Sequence, residues 1–334
     1  MSSVNADMKA PQSDIGFVAI GRNEGERLQR CLMSLKRQSD RVCYVDSGSV
    51  DDSVEYARGL GVCVELLSTD EPFTAARARN AGFAALLKQW PETKLVMFID
   101  GDCELAEGFP GAAVGVFSEN SDIGIVTGRC RELRPEDTIY NRLCDMEWNG
   151  PVGEIEACGG IFMTRTEVFR RVNGFNPAVI AAEDDEFSIR VRAGGARIVR
   201  IDDDMCFHDA DMHRFGQWWR RAVRAGYAYA QVGEMHSGYF AAPRRRAWAW
   251  GLALPVLILL AAPLTGGWSL VLLLLYPLSF LRTRSRLIRD GAKPAHAGLF
   301  AGFLTLSKFP NLIGMLNYRR KRMLGRDVAI VEYK

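Results

Sequence analysis

Apolar positions in the first hundred residues fall into short strand-length runs separated by segments of helical spacing. Ile15–Ile20, Arg41–Val45, Val62–Leu67 and Leu95–Ile99 read as strands. Between them, Glu24–Lys36 carries Leu28, Cys31, Leu32 and Leu35 at helical intervals, and Ala75–Trp90 is also helical. Asp51 or Asp52 is suited to cap a helix over Ser53–Leu60. Regular alternation of strand and helix predicts an α/β fold, a doubly wound and mostly parallel sheet with flanking helices. A dinucleotide-binding fold would need G-x-G-x-x-G after the first strand. The chain has Gly21-Arg22-Asn23-Glu24 there, which disfavours that reading.

The pattern changes completely further on. Trp248 to Leu281 contains no charged residue, with strongly apolar stretches at Leu252–Leu264 and Leu270–Leu281 around Thr265-Gly266-Gly267-Trp268. Such a run is too long for a soluble core helix. It could be one tilted helix or a hairpin turning at Gly266-Gly267. Arg244-Arg245-Arg246 precede it and Arg282, Arg284 and Arg286 follow it, so the positive-inside rule favours the hairpin with both ends in the cytoplasm. Residues 297–318 are apolar around Lys308 and Pro310 and read as an interfacial or re-entrant element before the basic Arg319–Arg322 tail. The expected organisation is a disordered 1–14, a globular domain over 15–240 (a nucleotide-binding half, 15–103, and an acceptor-binding half, 104–240), and a C-terminal membrane-associated helical region over 241–334.

Charge follows the same division. Residues 1–213 hold 23 Lys and Arg against 36 Asp and Glu, whereas residues 214–334 hold 19 against 4. An acidic front and a basic, apolar rear suit a globular domain held against an anionic membrane face. Nucleic acid is disfavoured as a partner, because the basic clusters flank an apolar run and not an aromatic-lined groove. None of the eight cysteines forms a CxxC pair, so they read as small core residues in a reducing compartment. Met1 to Asp14 is polar without an apolar h-region, so no secretory signal is read and the globular part is expected in the cytoplasm.

The fourth apolar run ends in Asp100-Gly101-Asp102. Two carboxylates this close repel unless a cation sits between them. Oxygen ligands suit a hard divalent ion such as Mg²⁺ or Mn²⁺, and open α/β sheets bind ligands beyond the carboxyl ends of their strands. A metal–diphosphate site and a plain solvated turn are both open on this evidence alone.

An ordered set of short motifs narrows the choice. Gly21–Glu24 follows the first strand and Val45–Asp51 the second; Ala78-Arg79-Asn80-Ala81-Gly82 lies on a helix; Asp100–Asp102 follows the fourth strand; Cys158-Gly159-Gly160 and Gly174-Phe175 precede Glu183-Asp184-Asp185-Glu186. Over roughly residues 15–230 this series resembles the family 2 inverting glycosyltransferases of the GT-A fold. The resemblance implies a membrane-attached, metal-dependent transferase that uses a UDP- or GDP-linked sugar, with Mn²⁺ or Mg²⁺ as cofactor. It implies nucleotide contacts by Asn23, Glu24, Asp46, Arg79 and Asp100, and metal ligation by Asp102 with Asp100 and His208. Asp184 matches the general base, with Asp185 the alternate; a charged helix N-terminus is the plainer reading of the same four acids. Gln217-Trp218-Trp219-Arg220-Arg221 partly resembles the QxxRW motif of processive synthases and suggests acceptor contacts by Gln217, Trp218 and Arg220. Arg221 stands where that motif has tryptophan, which argues against processivity. The expected function is sugar transfer to a lipid-linked or glycan acceptor at the cytoplasmic face of the inner membrane, in exopolysaccharide or glycolipid assembly. A non-catalytic nucleotide- or glycan-binding membrane subunit and a small processive synthase are the rivals.

Overall fold

The computed structural model describes residues 14–325. The expected N-terminal tail, Asp14 apart, and residues 326–334 lie outside the described residues. The chain divides into two compact units, residues 1–134 with 147–210 and residues 135–146 with 211–334.

The first unit is a nine-stranded sheet with helices on both faces. Its elements begin β1 (Ile15–Gly21), α1 (Glu26–Lys36), β2 (Val42–Asp46), α2 (Ser53–Gly59), β3 (Cys63–Leu66), α3 (Ala75–Gln89) and β4 (Leu95–Asp100). They continue with β5 (Cys103–Leu105), α4 (Phe109–Glu119), β6 (Ile123–Glu132), the end of α5 (Ile139–Trp148), β7 (Gly153–Glu154), β8 (Phe162–Arg165), α6 (Thr166–Arg171), α7 (Glu183–Ala193) and β9 (Arg197–His208). The sheet order is β3-β2-β1-β4-β8-β6-β9-β5, with β7 on β9. The first four strands are parallel; β8 runs antiparallel to both β4 and β6, and β6 and β9 are parallel again.

The solid apolar runs have a direct cause. Alternate residues of one strand serve two separate cores: Phe17 and Ala19 pack with Leu28, Leu32 and Leu35 of α1, while Val18 and Ile20 pack with Phe83 and Leu86 of α3. A strand covered on both faces has no polar face to show. Helix α3 lies unusually close to the sheet, since a Cβ on Gly82 would stand 2.3 Å from Val18 Cγ1 and 2.7 Å from Val45 Cγ2. The eight cysteines are all free, and six of them are buried. Residues 129–153 contain the end of β6 and helix α5.

The second unit is helical: α8 (Phe215–Met235), α9 (Ala241–Trp248), a π-helical turn (Ala249–Ala253), α10 (Leu254–Ala261), a 3₁₀ segment (Trp268–Leu274), α11 (Leu275–Arg289), α12 (Pro294–Leu306) and α13 (Lys308–Met323). The charge-free run reverses at Gly266 and Gly267, both at positive φ. Two shorter arms result, joined by hydrogen bonds from Ser269 Oγ to the Ile258 carbonyl (2.9 Å) and from Tyr276 OH to the Trp250 carbonyl (2.6 Å). Helices α8 and α13 touch backbone to backbone, since a Cβ on Gly314 would lie 2.0 Å from the Val223 carbonyl oxygen. Ser307 keeps right-handed helical angles, so α12 passes into α13. Among the described residues this run, Pro294–Met323, is the one helix long and apolar enough by length and composition to cross a membrane.

Candidate active site

The strand ends bring the first residues together. Gly21 at the end of β1 is in register with Asp46 on β2, and Ile20 with Asp100 on β4. Asp46 and Asp100 therefore flank β1 at one edge of a parallel sheet, where ligands bind in such folds. Asp46 is buried and well partnered. Its Oδ2 accepts from Gly48 N (2.9 Å) and Ser49 N (2.8 Å), and its Oδ1 accepts from Tyr44 OH (2.9 Å). It thus shapes the turn after β2, and two carboxylate oxygens keep room for one more donor. Asn23, at φ 55°, links this turn to the loop after β1: its N–H donates to Ser49 Oγ and its Oδ1 accepts from Val50 N. Glu24 is buried beside Gly101 and paired with Arg27 at 2.9 Å. Asp51 accepts from Ser53 N and Gly25 N, a capping role.

Arg79 is the centre of the site. Its side chain is 2% exposed and donates to Asp100 Oδ1 at 2.9 Å and to Glu183 Oε1 at 2.8 Å. Burial opposes its charge, but Asp100 and Glu183 more than offset this and raise its pKa. One guanidinium thereby ties the end of β4 to the first turn of α7. An aromatic cluster fixes that helix from beneath. Phe187 of α7 stacks on Phe175 with centroids 4.5 Å apart, and the Phe175 ring lies 5.5 Å from the Arg79 guanidinium carbon.

Helix α7 starts from Ala182 in the left-handed region with no side-chain cap, and Glu183 to Glu186 fill its first turn. These acids do different things. Glu183 holds Arg79, and Glu186 takes a forked contact from Arg190 at 2.7 and 2.8 Å. Asp184 remains half-buried at the helix start. Burial first, then Asp185 and Glu183, push its carboxyl up to about 8, with Arg79 pulling the other way. A carboxyl titrating near neutrality is matched to taking up a proton. For Asp100 burial raises the pKa and Arg79 opposes it.

On the other side of Asp100, β5 and β6 flank β9 so that Cys103 and Glu132 are both in register with His208. His208 Nε2 stands 3.5 Å from Asp102 Oδ2, and its Nδ1 faces Glu132 Oε2 at 3.8 Å. Burial alone would lower the histidine pKa; Asp102 and Glu132 reverse this and lift it to about 9. Donor atoms of Asp102, Cys103 and His208 lie within 4.8 Å of one another. A carboxylate oxygen and an imidazole nitrogen 3.5 Å apart stand slightly wider than the roughly 3.0 Å of adjacent octahedral ligands about 2.1 Å from one ion, so a small inward shift would let the pair hold a divalent ion such as Mn²⁺ or Mg²⁺. Cys103 fits that role poorly. Its thiol is buried in the core, pushed well above its usual pKa, and directed at Asp102 Oδ1 at 3.5 Å. Asp100 lies outside this cluster, with one oxygen on Arg79.

Glu132 escaped the sequence reading. Its side chain is fully buried, and it accepts from Arg134 N and Ala210 N while facing His208. Trp148 packs edge-on against the same imidazole at 4.5 Å. In the helical unit, Gln217 caps α8, its Oε1 accepting from His213 N and Arg214 N at 2.9 Å. Trp218 is buried against Phe303, while Arg220 is exposed.

Residues 18–171 match the family model described as Glycosyl transferase family 2, and residues 143–213 match one described as the N-terminal domain of galactosyltransferase. Among solved structures, the mannosyltransferase PcManGT from Pyrobaculum calidifontis, in complex with GDP-Man and Mn²⁺, superposes with a TM-score of 0.53 at 18% identity, over 93% of this chain and 87% of that one. TarS 1–349 of S. aureus gives 0.48 at 17% identity over 91% of both chains. Glucosyl-3-phosphoglycerate synthase of Mycobacterium tuberculosis, with Mn²⁺ and UDP, also gives 0.48, at 16% identity over 66% of this chain and 78% of that one. A curated TPR repeat-containing protein of Synechococcus elongatus is 34% identical over 96 residues, which span 29% of this chain and 22% of that protein.

Proposed function

We propose that this chain, which carries a family 2 glycosyltransferase domain of the GT-A fold, moves a sugar with inversion from a UDP- or GDP-linked donor to a lipid-linked or glycan acceptor. The observation that carries the reading is the Arg79 bridge. It joins Asp100, two residues before the proposed metal ligand Asp102, to Glu183, the residue before the proposed base Asp184, through a single buried cation. Nucleotide contacts fall to the Asp46 turn, Asn23, Glu24 and Asp100. Asp102 and His208 would hold Mn²⁺ or Mg²⁺, which would neutralise the departing diphosphate. Glu132 orients His208 as a carboxylate behind a metal-bound histidine does.

In the transfer step Asp184 accepts the acceptor hydroxyl proton as that oxygen bonds to the anomeric carbon. The bond from that carbon to the diphosphate oxygen breaks on the opposite face, which inverts the configuration. Asp185 is the alternate base. The basic, apolar helical unit supports attachment to the inner membrane with the catalytic domain cytoplasmic, and hence a setting in exopolysaccharide or glycolipid assembly. The test is nucleoside-diphosphate release from a panel of UDP- and GDP-sugars, with Mn²⁺ and with EDTA. Turnover unaffected by EDTA, or Asp184→Asn and Asp185→Asn both retaining wild-type turnover, overturns the mechanism. Metal-insensitive binding without turnover points to a non-catalytic subunit, and long products point to a processive synthase.

A further inference from the structure

We infer that the hairpin from Ala249 to Leu281 is a re-entrant anchor, which enters the bilayer from one side, ends within the hydrocarbon and does not cross it. The inference deepens the membrane attachment proposed above but does not rest on the transfer chemistry. Three observations meet in it.

The first is the tip. Leu264 is 87% exposed and Trp268 78% exposed, with Leu259 and Leu260 exposed just behind them. Apolar side chains are thus presented outward around a sharp turn.

The second is what the same turn does with its polar groups. The N–H groups of Thr265, Gly267, Trp268 and Leu270 donate to the carbonyls of Ala261, Ala262, Thr265 and Gly267. Thr265 Oγ1 donates to the Ala261 carbonyl and accepts from Ser269 N, and Ser269 Oγ donates to the Ile258 carbonyl. Even the break at Pro255 is mended. In the π-helical turn that precedes it, the Trp250 carbonyl would face the N–H that proline lacks, and Tyr276 OH donates to that carbonyl instead. Helix ends in water make similar bonds, but backbone in hydrocarbon has no partner except its own chain, and here the N–H groups of Leu264 and Gly266 are the exceptions at the turn.

The third is length and charge. Each arm, Ala249 to Leu264 and Trp268 to Leu281, is about 24 Å long at helical rises of about 1.5–2.0 Å per residue. That falls short of the roughly 30 Å hydrocarbon core. Arginines stand at both bases, Arg244–Arg246 on one arm and Arg282, Arg284 and Arg286 on the other. They suit the anionic headgroups of the leaflet that the hairpin enters.

The test is thiol accessibility of the full-length protein in sealed vesicles containing phosphatidylglycerol. The partly exposed native thiols Cys63 and Cys130 are first replaced by serine. Thr265→Cys at the tip and Ser285→Cys at the base are then treated with a membrane-impermeant maleimide added outside or trapped inside. The expected result is that Ser285→Cys labels from one side only. Thr265→Cys should label at least tenfold more slowly from either side, and freely once mild detergent is added. Labelling of the tip from the far side means a span and overturns the inference. Labelling from the same side as Ser285→Cys means a tip in water and also overturns it. Shielding that survives detergent means that protein, such as a second copy, covers the tip, which equally overturns it. An inactive protein with a lipid-shielded tip upholds the anchor while the transfer reading fails, and an active one with a wet tip does the reverse.

Discussion

The sheet unit and the helical unit break opposite rules of soluble-protein design. Around the ends of β4 and β9, the sheet unit buries Arg79, Asp102, Glu132 and Glu183. The helical unit leaves Leu259, Leu264 and Trp268 bare while much of its turn is hydrogen-bonded within itself. Buried charge is costly unless paired, and large exposed apolar patches are rare unless something covers them. Each unit thus keeps a locally unfavourable feature that the proposed function would use: the first as an electrostatic site, the second as a surface for lipid.

Removing Asp102, the proposed metal ligand, tests this contrast most strongly. Asp102→Asn is expected to lower nucleotide-sugar turnover at least ~10²–10⁴-fold, the range typical for loss of a group that acts at the transition state. Membrane association, measured by flotation, should stay unchanged. Turnover within a few-fold of wild type would separate the acidic edge from the chemistry.

Arg79→Ala is expected to cost about 3–5 kcal/mol in denaturant unfolding, because it strands Asp100 and Glu183 without their shared cation. Gly314→Ala gives the counterpart in the helical unit. A methyl group 2.0 Å from the Val223 carbonyl forces α8 and α13 apart, at a cost of about 1–3 kcal/mol read as lower thermal stability. If both changes were silent, neither unit would be held together as described.

Glu132→Gln, which also gives up one of the backbone N–H contacts from Arg134 and Ala210, should weaken Mn²⁺ binding ~10–100-fold by titration calorimetry or electron paramagnetic resonance. The last effect concerns stability and has an unusual sign. The folded-state pKa of Asp184, about 8, lies above the unfolded value near 3.9. Ionising it therefore opposes folding. The penalty is absent below about pH 4, grows as pH rises, and is complete above about pH 8. Asp184→Asn should consequently melt a few degrees higher than wild type at pH 9, with little difference at pH 4, while losing turnover. A melting advantage that shrank as pH rose would show that the carboxyl is not lifted in the folded protein.

Local pattern was enough to locate the strands and helices of the first hundred residues, because strands covered on both faces are written as solid apolar runs and helices as spaced ones. It placed every strand within a residue or two, from Ile15–Gly21 to Leu95–Asp100. It also marked the reversal at Gly266-Gly267, since consecutive glycines within an apolar run are where positive φ is cheap. Tertiary structure alone decided which of the many acids share a partner. Four successive carboxylates at 183–186 look alike in sequence. Only the approach of α3, made close by Gly82, and the aromatic cluster under α7 give Glu183 to Arg79 and leave Asp184 half-buried at the helix start. Glu132 was illegible for the same reason: its partner His208 comes from a strand far along the chain, and the pairing of β6 with β9 sets their register. Propensity and burial act on neighbours along the chain and leave a local imprint. Electrostatic partnership depends on distance in space, and that is fixed only when the sheet has been assembled.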